Sequence, residues 1–360
     1  MSASLVFQNH QYTPTDFAKL DLQNTSFTGL EAGQQFIHSW QNNKQFFDQK
    51  TSGSTGKPTI HQFSRQMIEA SVSRTVEALQ IKHEANALVC INMDYIGGKM
   101  MLARGLMNHW KLHLHPPGSG LVELLKANQF DFSAMVPLQV SKLLDQPDGG
   151  LLLNKIDHLI IGGAAVDQSL MDRIQYLNCK IYATYGMTET ISHVALQKLN
   201  GQERSDYFSL LPGISHQIDD RGCLMLKADV TNKEWITTND RVAFINEREF
   251  KVLGRADNVI NSGGIKIQTE ELEALIQKTG LLDHAQFAIS AIPDSTLGSK
   301  VVLVVEKDVP DPNRLIEQLK TALPAYHAPK RILSINRLPR TASDKLDRQG
   351  LSQWLLKNAN

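Results

Sequence analysis

Thr51, Ser52, Gly53, Ser54, Thr55, Gly56, Lys57, Pro58 and Thr59 put glycines, hydroxyls and one lysine into a single short run. Glycines let backbone N–H groups approach an anion, hydroxyls add donors and the lysine adds a point charge, so the run reads as a phosphate-binding loop. It departs from the Walker pattern, because Thr51 stands where the first glycine belongs and Pro58 where the metal-binding hydroxyl belongs. Pro58 also turns Lys57 away from the αR region, so no helix starts on the lysine. A plain Ser/Thr/Gly turn remains the alternative for the run taken alone.

Four further clusters carry chemistry-bearing types. Tyr185-Gly186-Met187-Thr188-Glu189 offers an aromatic for a purine, a glycine for close backbone approach, a hydroxyl and a carboxylate suited to Mg²⁺; its plain alternative is a strand-to-helix turn capped by Thr188. Asp240, in Thr237-Thr-Asn-Asp240, is placed to accept two ribose hydroxyls, or is an ordinary Asn-Asp turn. Gly254-Arg255-Ala256-Asp257 leads to the double glycine of Ser262-Gly263-Gly264. Lys345 sits in a polar loop after Pro339-Arg340.

The elements that must position these residues alternate. The loop feeds a helix beginning near Ser64, with Ile68, Val72, Val76 and Leu79 at helical spacing. Strands are expected at Ala87–Asn92, Leu112–His115, Phe132–Val136, Lys155–Ile161 and Lys180–Thr184, with helices at Gly97–Trp110, Val122–Ala127 and Gln168–Tyr176. This order predicts a parallel, doubly wound α/β sheet, whose ligands bind beyond the carboxyl ends of the strands. The glycine loop, Gly162-Gly163 and Tyr185-Gly186 all follow expected strands. Past Pro212 the segments shorten into an antiparallel β unit, and after Asp257 a compact α/β unit follows.

Composition narrows the partners. Lys+Arg 37 against Asp+Glu 37 argues against a broad nucleic-acid surface. Cys90, Cys179 and Cys223 form no CxxC and no ligand cluster, which fits a reducing compartment. With no signal-like leader and no apolar run of membrane length, a cytoplasmic protein without membrane insertion is expected.

Together the motifs resemble the adenylate-forming superfamily, over about residues 44–350. The resemblance implies a large N-terminal domain (1–254) with a small β subunit, a hinge (255–258) at Asp257 and a small mobile α+β lid (259–360). It implies a chain shortened at its N-terminus, with the residual segment or a homodimer contact replacing the missing wall. It also implies ATP, Mg²⁺ and coenzyme A, with a small-molecule carboxylate as the acid. Thr51, Ser52, Gly53, Ser54, Thr55, Gly56 and Lys57 would hold the β/γ-phosphates. Gly162, Gly163, Tyr185 and Gly186 would frame adenine, and Asp240 and Arg255 would fix the ribose. Thr188 would touch the α-phosphate, Glu189 would hold Mg²⁺ and Lys345 would be the catalytic lysine of the lid. Ser262, Gly263 and Gly264 would line the thiol tunnel.

Within the superfamily, Val136-Pro-Leu-Gln139 followed by Leu143-Leu144, and Leu159–Val166, resemble the o-succinylbenzoate–CoA ligases of menaquinone synthesis. Tyr95, Gly97, Gly98, Ser192 and His193 are the expected acyl pocket, with a hydrogen-bonded helix residue as the alternative for His193. Asp344, where the superfamily usually has glycine, stands beside Lys345. Another aryl- or acyl-CoA ligase, a carrier-protein-loading enzyme and a degenerate nucleotide-binding module remain the competing readings.

Overall fold

A computed structural model describes residues 2–22, 25, 27–51, 59–116, 118, 120–282, 285–341 and 346–358, the side chains of Thr51 and Thr59 excepted. Contact density divides the chain into two units. The first comprises Met1–His216, Leu226–Ile236 and Ile245–Phe250; the second comprises Gln217–Met225, Thr237–Phe244 and Lys251–Asn360.

The first unit opens with the hairpin β1 (Ser4–Phe7) and β2 (His10–Tyr12), then α1 (Pro14–Phe17) and α2 (Leu30–Gln41). A separate hairpin, β3 (Phe46–Thr51) and β4 (Thr59–Ser64), pairs Thr51 with Thr59 and so brackets the glycine loop. Ser64 caps α3 (Arg65–Ala78) by accepting from Met67 N at 3.2 Å, which is why the helix starts where the sequence placed it.

The α/β alternation follows: β5 (Asn86–Val89), α4 (Ile96–Met107), β6 (Lys111–Leu114), α5 (Leu121–Ala127), β7 (Phe130–Met135), α6 (Pro137–Leu144), α7 (Gly149–Leu153), β8 (Ile156–Ile161), α8 (Gln168–Ile174) and β9 (Lys180–Gly186). Strands β1, β6, β5, β7, β8 and β9 lie side by side in that order, all parallel. Their near-continuous apolar runs reflect burial on both faces. The chain leaves β5 for β6 on one side and returns to β7 on the other, so the strand order reverses at β5. Such a reversal opens a crevice outside the carboxyl ends of the strands. Leu88, Leu125, Phe130, Leu159, Ile161, Ile174 and Ile181 form part of the core between this sheet and its helices.

Beyond β9 the pairing turns antiparallel, through β10 (His193–Lys198) and β11 (Phe208–Leu210), which pairs with Glu249 and Phe250. The remaining short strands are β12 (Ser215–Ile218), β13 (Cys223–Lys227), β14 (Ile236–Phe244) and β15 (Glu249–Arg255).

In the second unit, β16 (Val259–Ser262) and β17 (Ile265–Gln268) form a hairpin turned by Gly263 and Gly264, whose φ values of 60° and 84° suit glycine. Then come α9 (Thr269–Lys278), β18 (Phe287–Asp294), β19 (Gly298–Val305), α10 (Pro312–Ala322), β20 (Arg331–Ser334) and α11 (Arg348–Asn358). Along β19, Val301, Leu303 and Val305 join a core with residues of α9 and α10, while Val302 and Val304 join Leu351 and Leu355 of α11 on the opposite face. No described helix is long and apolar enough to cross a membrane.

Candidate active site

The carboxyl edge of the parallel sheet collects the first unit's site residues. Tyr95 precedes α4 and is 42% exposed; Gly97 and Gly98 form the helix's first turn. Gly98 is buried against Asn92 and Met93, where a Cβ would lie 2.5 Å from the Asn92 carbonyl oxygen. Gly162, just after β8, donates its N–H to the Met135 carbonyl at 3.1 Å, and Gly163 follows in the left-handed region. The β3–β4 hairpin reaches the same edge: Gln49 Nε2 donates to the Asp94 carbonyl at 2.9 Å, and His61 Nε2 lies 3.8 Å from Glu189 Oε1. The glycine loop thus springs from a hairpin anchored at this edge. Residues 52–58 themselves, Ser52 to Lys57 included, and Lys345 lie outside the described residues.

Tyr185 is the penultimate residue of β9 and only 8% exposed, and its ring packs against Phe208 and Phe250, with centroids 5.8 and 5.3 Å away. The ring packs inward on these two phenylalanines, and Gly186 beside it is exposed. Thr188, Glu189 and Thr190 form a 3₁₀ turn, not the first turn of an α-helix. Glu189 keeps 44% of its side chain exposed, a carboxylate with room for a metal and phosphate oxygens. Ile191, next along, sits at φ 66° although β-branched and fully buried, and Thr190 Oγ1 ties this strained corner to Met187 and Ser192.

After that corner His193 opens β10, so it is a strand residue and not a helical one. Its ring is buried. Thr75 Oγ1 donates to the Ser71 carbonyl, which leaves it to accept from His193 Nε2 at 3.1 Å and from Arg104 Nη2 at 3.2 Å. Ser192 Oγ accepts from Arg104 Nη2 at 3.1 Å and donates to His193 Nδ1 at 3.3 Å. The donor count makes His193 a neutral Nε2–H tautomer. Burial, then the Arg104 and Arg74 guanidiniums, hold its pKa well below the ordinary histidine value.

Arg104 is 1% exposed and Arg74 8%. Burial lowers the pKa of both, Arg104 to about 10, with Asp229 pulling Arg74 partly back. Arg74 Nε donates to the Pro212 carbonyl, whereas Arg104 Nε, Arg74 Nη1 and Ser71 Oγ have no partner among the described residues. Sequence reasoning passed over both arginines. The signal was there for Arg104, a lone cation inside Met100-Met-Leu-Ala-Arg-Gly-Leu-Met107.

In the second unit Asp240 and Arg255 come together, with Arg255 Nη1 3.2 Å from Asp240 Oδ1. Arg255 also bonds Asp257 at 2.8 Å, and this pair, chiefly through its side-chain hydrogen bond, raises the Arg255 pKa. Ser262 is buried, and Gly263 donates its N–H to the Leu297 carbonyl at 2.8 Å.

With the strand order reversed at β5 and the first unit's described site residues at the carboxyl edge of the sheet, the fold is that of an adenylate-forming enzyme. The chain belongs to the AMP-binding enzyme family, whose profile matches residues 19–222. A solved structure from Dyadobacter fermentans, an acyl-CoA synthetase (AMP-forming)/AMP-acid ligase II-like protein, is 36% identical with a TM-score of 0.63, over 95% of this chain and 98% of that one. The 2-succinylbenzoate–CoA ligase of Lactococcus lactis is 26% identical over 84% of this chain and 69% of its own length. The corresponding ligase of Salmonella typhimurium is 25% identical over 92% of this chain and 75% of its own length.

Proposed function

We propose that the protein is an AMP-forming acid–CoA ligase whose acid carries a second carboxylate, with o-succinylbenzoate as the substrate. The observation that carries this reading is two buried guanidiniums whose charge is felt at His193: Arg104, bonded to Ser192, and Arg74, each with an unpaired N–H group and neither hydrogen-bonded to a carboxylate among the described residues. Buried cations are ordinarily paired. Asp229 offsets only part of the burial of Arg74; a substrate carboxylate supplies the remaining charge, and the 2-succinylbenzoate ligases among the relatives point to the same acid.

In the first half-reaction a substrate carboxylate oxygen attacks the α-phosphorus of ATP and pyrophosphate leaves. In the second, the coenzyme A sulfur attacks the acyl carbon, AMP leaves and the thiol proton passes to solvent. The protein's part is positioning and charge stabilisation. The glycine loop 51–57 holds the β/γ-phosphates, Thr188 meets the α-phosphate and Glu189 holds Mg²⁺, which when bound neutralises phosphate charge. The backbone of Tyr185–Gly186 and Gly162–Gly163 frames adenine, and Asp240 with Arg255 takes the ribose. Lys345 stabilises charge developing at the α-phosphate, and a rotation at Asp257 brings Ser262–Gly264 to the thiol. A cytoplasmic location belongs to this reading, since Cys90, Cys179 and Cys223 are all free and buried.

The test is coenzyme A-dependent AMP release across aromatic and aliphatic acids. Turnover with o-succinylbenzoate well above that with benzoate or a fatty acid is expected. An inert o-succinylbenzoate beside an active monocarboxylate overturns the assignment.

A further inference from the structure

Lys99 occupies the first turn of α4, where the helix dipole disfavours a cation. It is half-buried, and desolvation lowers its pKa against the pull of Asp94 and Asp48. For folding alone a neutral residue would be cheaper there. What Lys99 gains is Gln49: its Nζ donates to Gln49 Oε1 at 2.8 Å. Gln49 is 4% exposed, and its amide nitrogen is committed to the carbonyls of Asp94 and Lys50, both at 2.9 Å. Gln49 lies two residues before the end of β3, where the glycine loop departs. Asp94 is the residue before Tyr95, and Lys99 the residue after Gly98. One buried amide thus joins the base of the phosphate loop to both sides of the acyl-pocket turn, across 45 and 50 residues of sequence.

We propose that Gln49 and Lys99 are positioning residues that clamp the glycine-loop hairpin to the start of α4, holding the triphosphate and the acid in register for attack. The proposal rests on the ligase reading above. Neither side chain needs to touch the reacting atoms; the clamp sets where two separate binding elements stand relative to each other, and a misplacement of about 1 Å costs on the order of a hundredfold in rate.

The test uses the full chain and acid-dependent ATP–pyrophosphate exchange, with separate dissociation constants for ATP and the acid. Lys99→Met and Gln49→Met should lower exchange at saturating substrates about tenfold to a hundredfold while leaving each dissociation constant within about threefold. Lys99→Arg, which keeps a cationic donor, should recover most of the rate. Hydrogen exchange in the free protein should quicken at residues 46–51 and 94–100 together in either Met variant; loosening of the substituted segment alone overturns the clamp. Unchanged exchange rates in the Met variants, or a loss that follows ligand affinity, also overturn it. Where Gln49→Met fails to fold, Gln49→Glu, which keeps an acceptor for Lys99 but loses the donor to Asp94, takes its place with the same expected split. A wild-type protein that shows no exchange with any acid overturns the ligase reading and the clamp with it, whereas a wild-type protein that exchanges beside variants that lose nothing overturns the clamp alone.

Discussion

Arg104 concentrates the cost and the use of this site in one side chain. Its guanidinium is held in the interior by two hydroxyls, with Nε unpaired among the described residues. Removing an uncompensated buried cation relieves desolvation, so Arg104→Gln should leave the melting temperature level or raise it. The same change should lower kcat/KM for o-succinylbenzoate by about tenfold to a hundredfold, the scale of a lost charged hydrogen bond. Thermal melts beside initial rates separate the two; a melting point that falls with activity would mean that Arg104 serves the fold instead. Lys345→Ala belongs to this scale too. Adenylation should slow by on the order of a hundredfold, while thioester formation from preformed acyl-adenylate slows much less. The motif residues were legible because local sequence fixes them: glycines, hydroxyls and a carboxylate in short runs. The arginine cluster was not, because its bonds join Thr75 to His193 across 118 residues and Arg104 to Ser192 across 88. No periodicity reports such a contact.

At the scale of elements, strong local signals placed the alternation and weaker ones misled. Ser64 and the apolar stripe behind it gave α3 to within a residue of its start. Helix α6 escaped because only Val136 separates it from β7 and the helix is only 8 residues long, so its stripe merges with the strand's apolar run. Asn239-Asp240 reads as a turn, yet both residues lie inside one nine-residue strand, Ile236–Phe244. Tyr185 shows what residue type leaves open: strand alternation places its ring against Phe208 and Phe250, a packing that the motif alone does not report. The turn into α4 carries its own prediction. A Cβ on Gly98 would stand 2.5 Å from the Asn92 carbonyl oxygen and 2.6 Å from Met93 Cα, backbone atoms that yield only if the turn shifts. Gly98→Ala should therefore cost about 1–3 kcal/mol in a urea titration and displace Tyr95, raising KM for the acid more than for ATP. An alanine variant as stable as the wild type would remove the close-approach argument.

For the whole molecule, the balanced charge of 37 basic and 37 acidic residues leaves pH sensitivity to individual buried groups. Buried histidines of the first unit set its direction: His113, His158 and His193 all have pKa values lowered chiefly by burial. His113 on β6 is 6% exposed, and neither ring nitrogen has a partner among the described residues. Burial, and then the Lys111 charge, lower its pKa to about 4, and burial with two guanidiniums lowers that of His193 as well. In the unfolded chain all three rings take up a proton near pH 6.5. Above that pH each ring is neutral in both states and contributes no slope. Below it the unfolded chain binds more protons than the fold, so stability falls as pH falls. For His113 the loss runs from about pH 6.5 down to about 4 and amounts to roughly 3 kcal/mol across that window. Carboxylates act lower down: Asp294, held at about 2 chiefly by its hydrogen bond from Lys300, loses its contribution only below the ordinary carboxylate range. Urea midpoints between pH 8 and 4.5 should stay level to about pH 6.5 and then decline, and His113→Leu should flatten part of that decline. Because the substitution removes two unpaired nitrogens from the interior, it should not lower stability at pH 7. A variant with the wild-type slope would show that His113 finds a proton-stabilising partner in the folded protein.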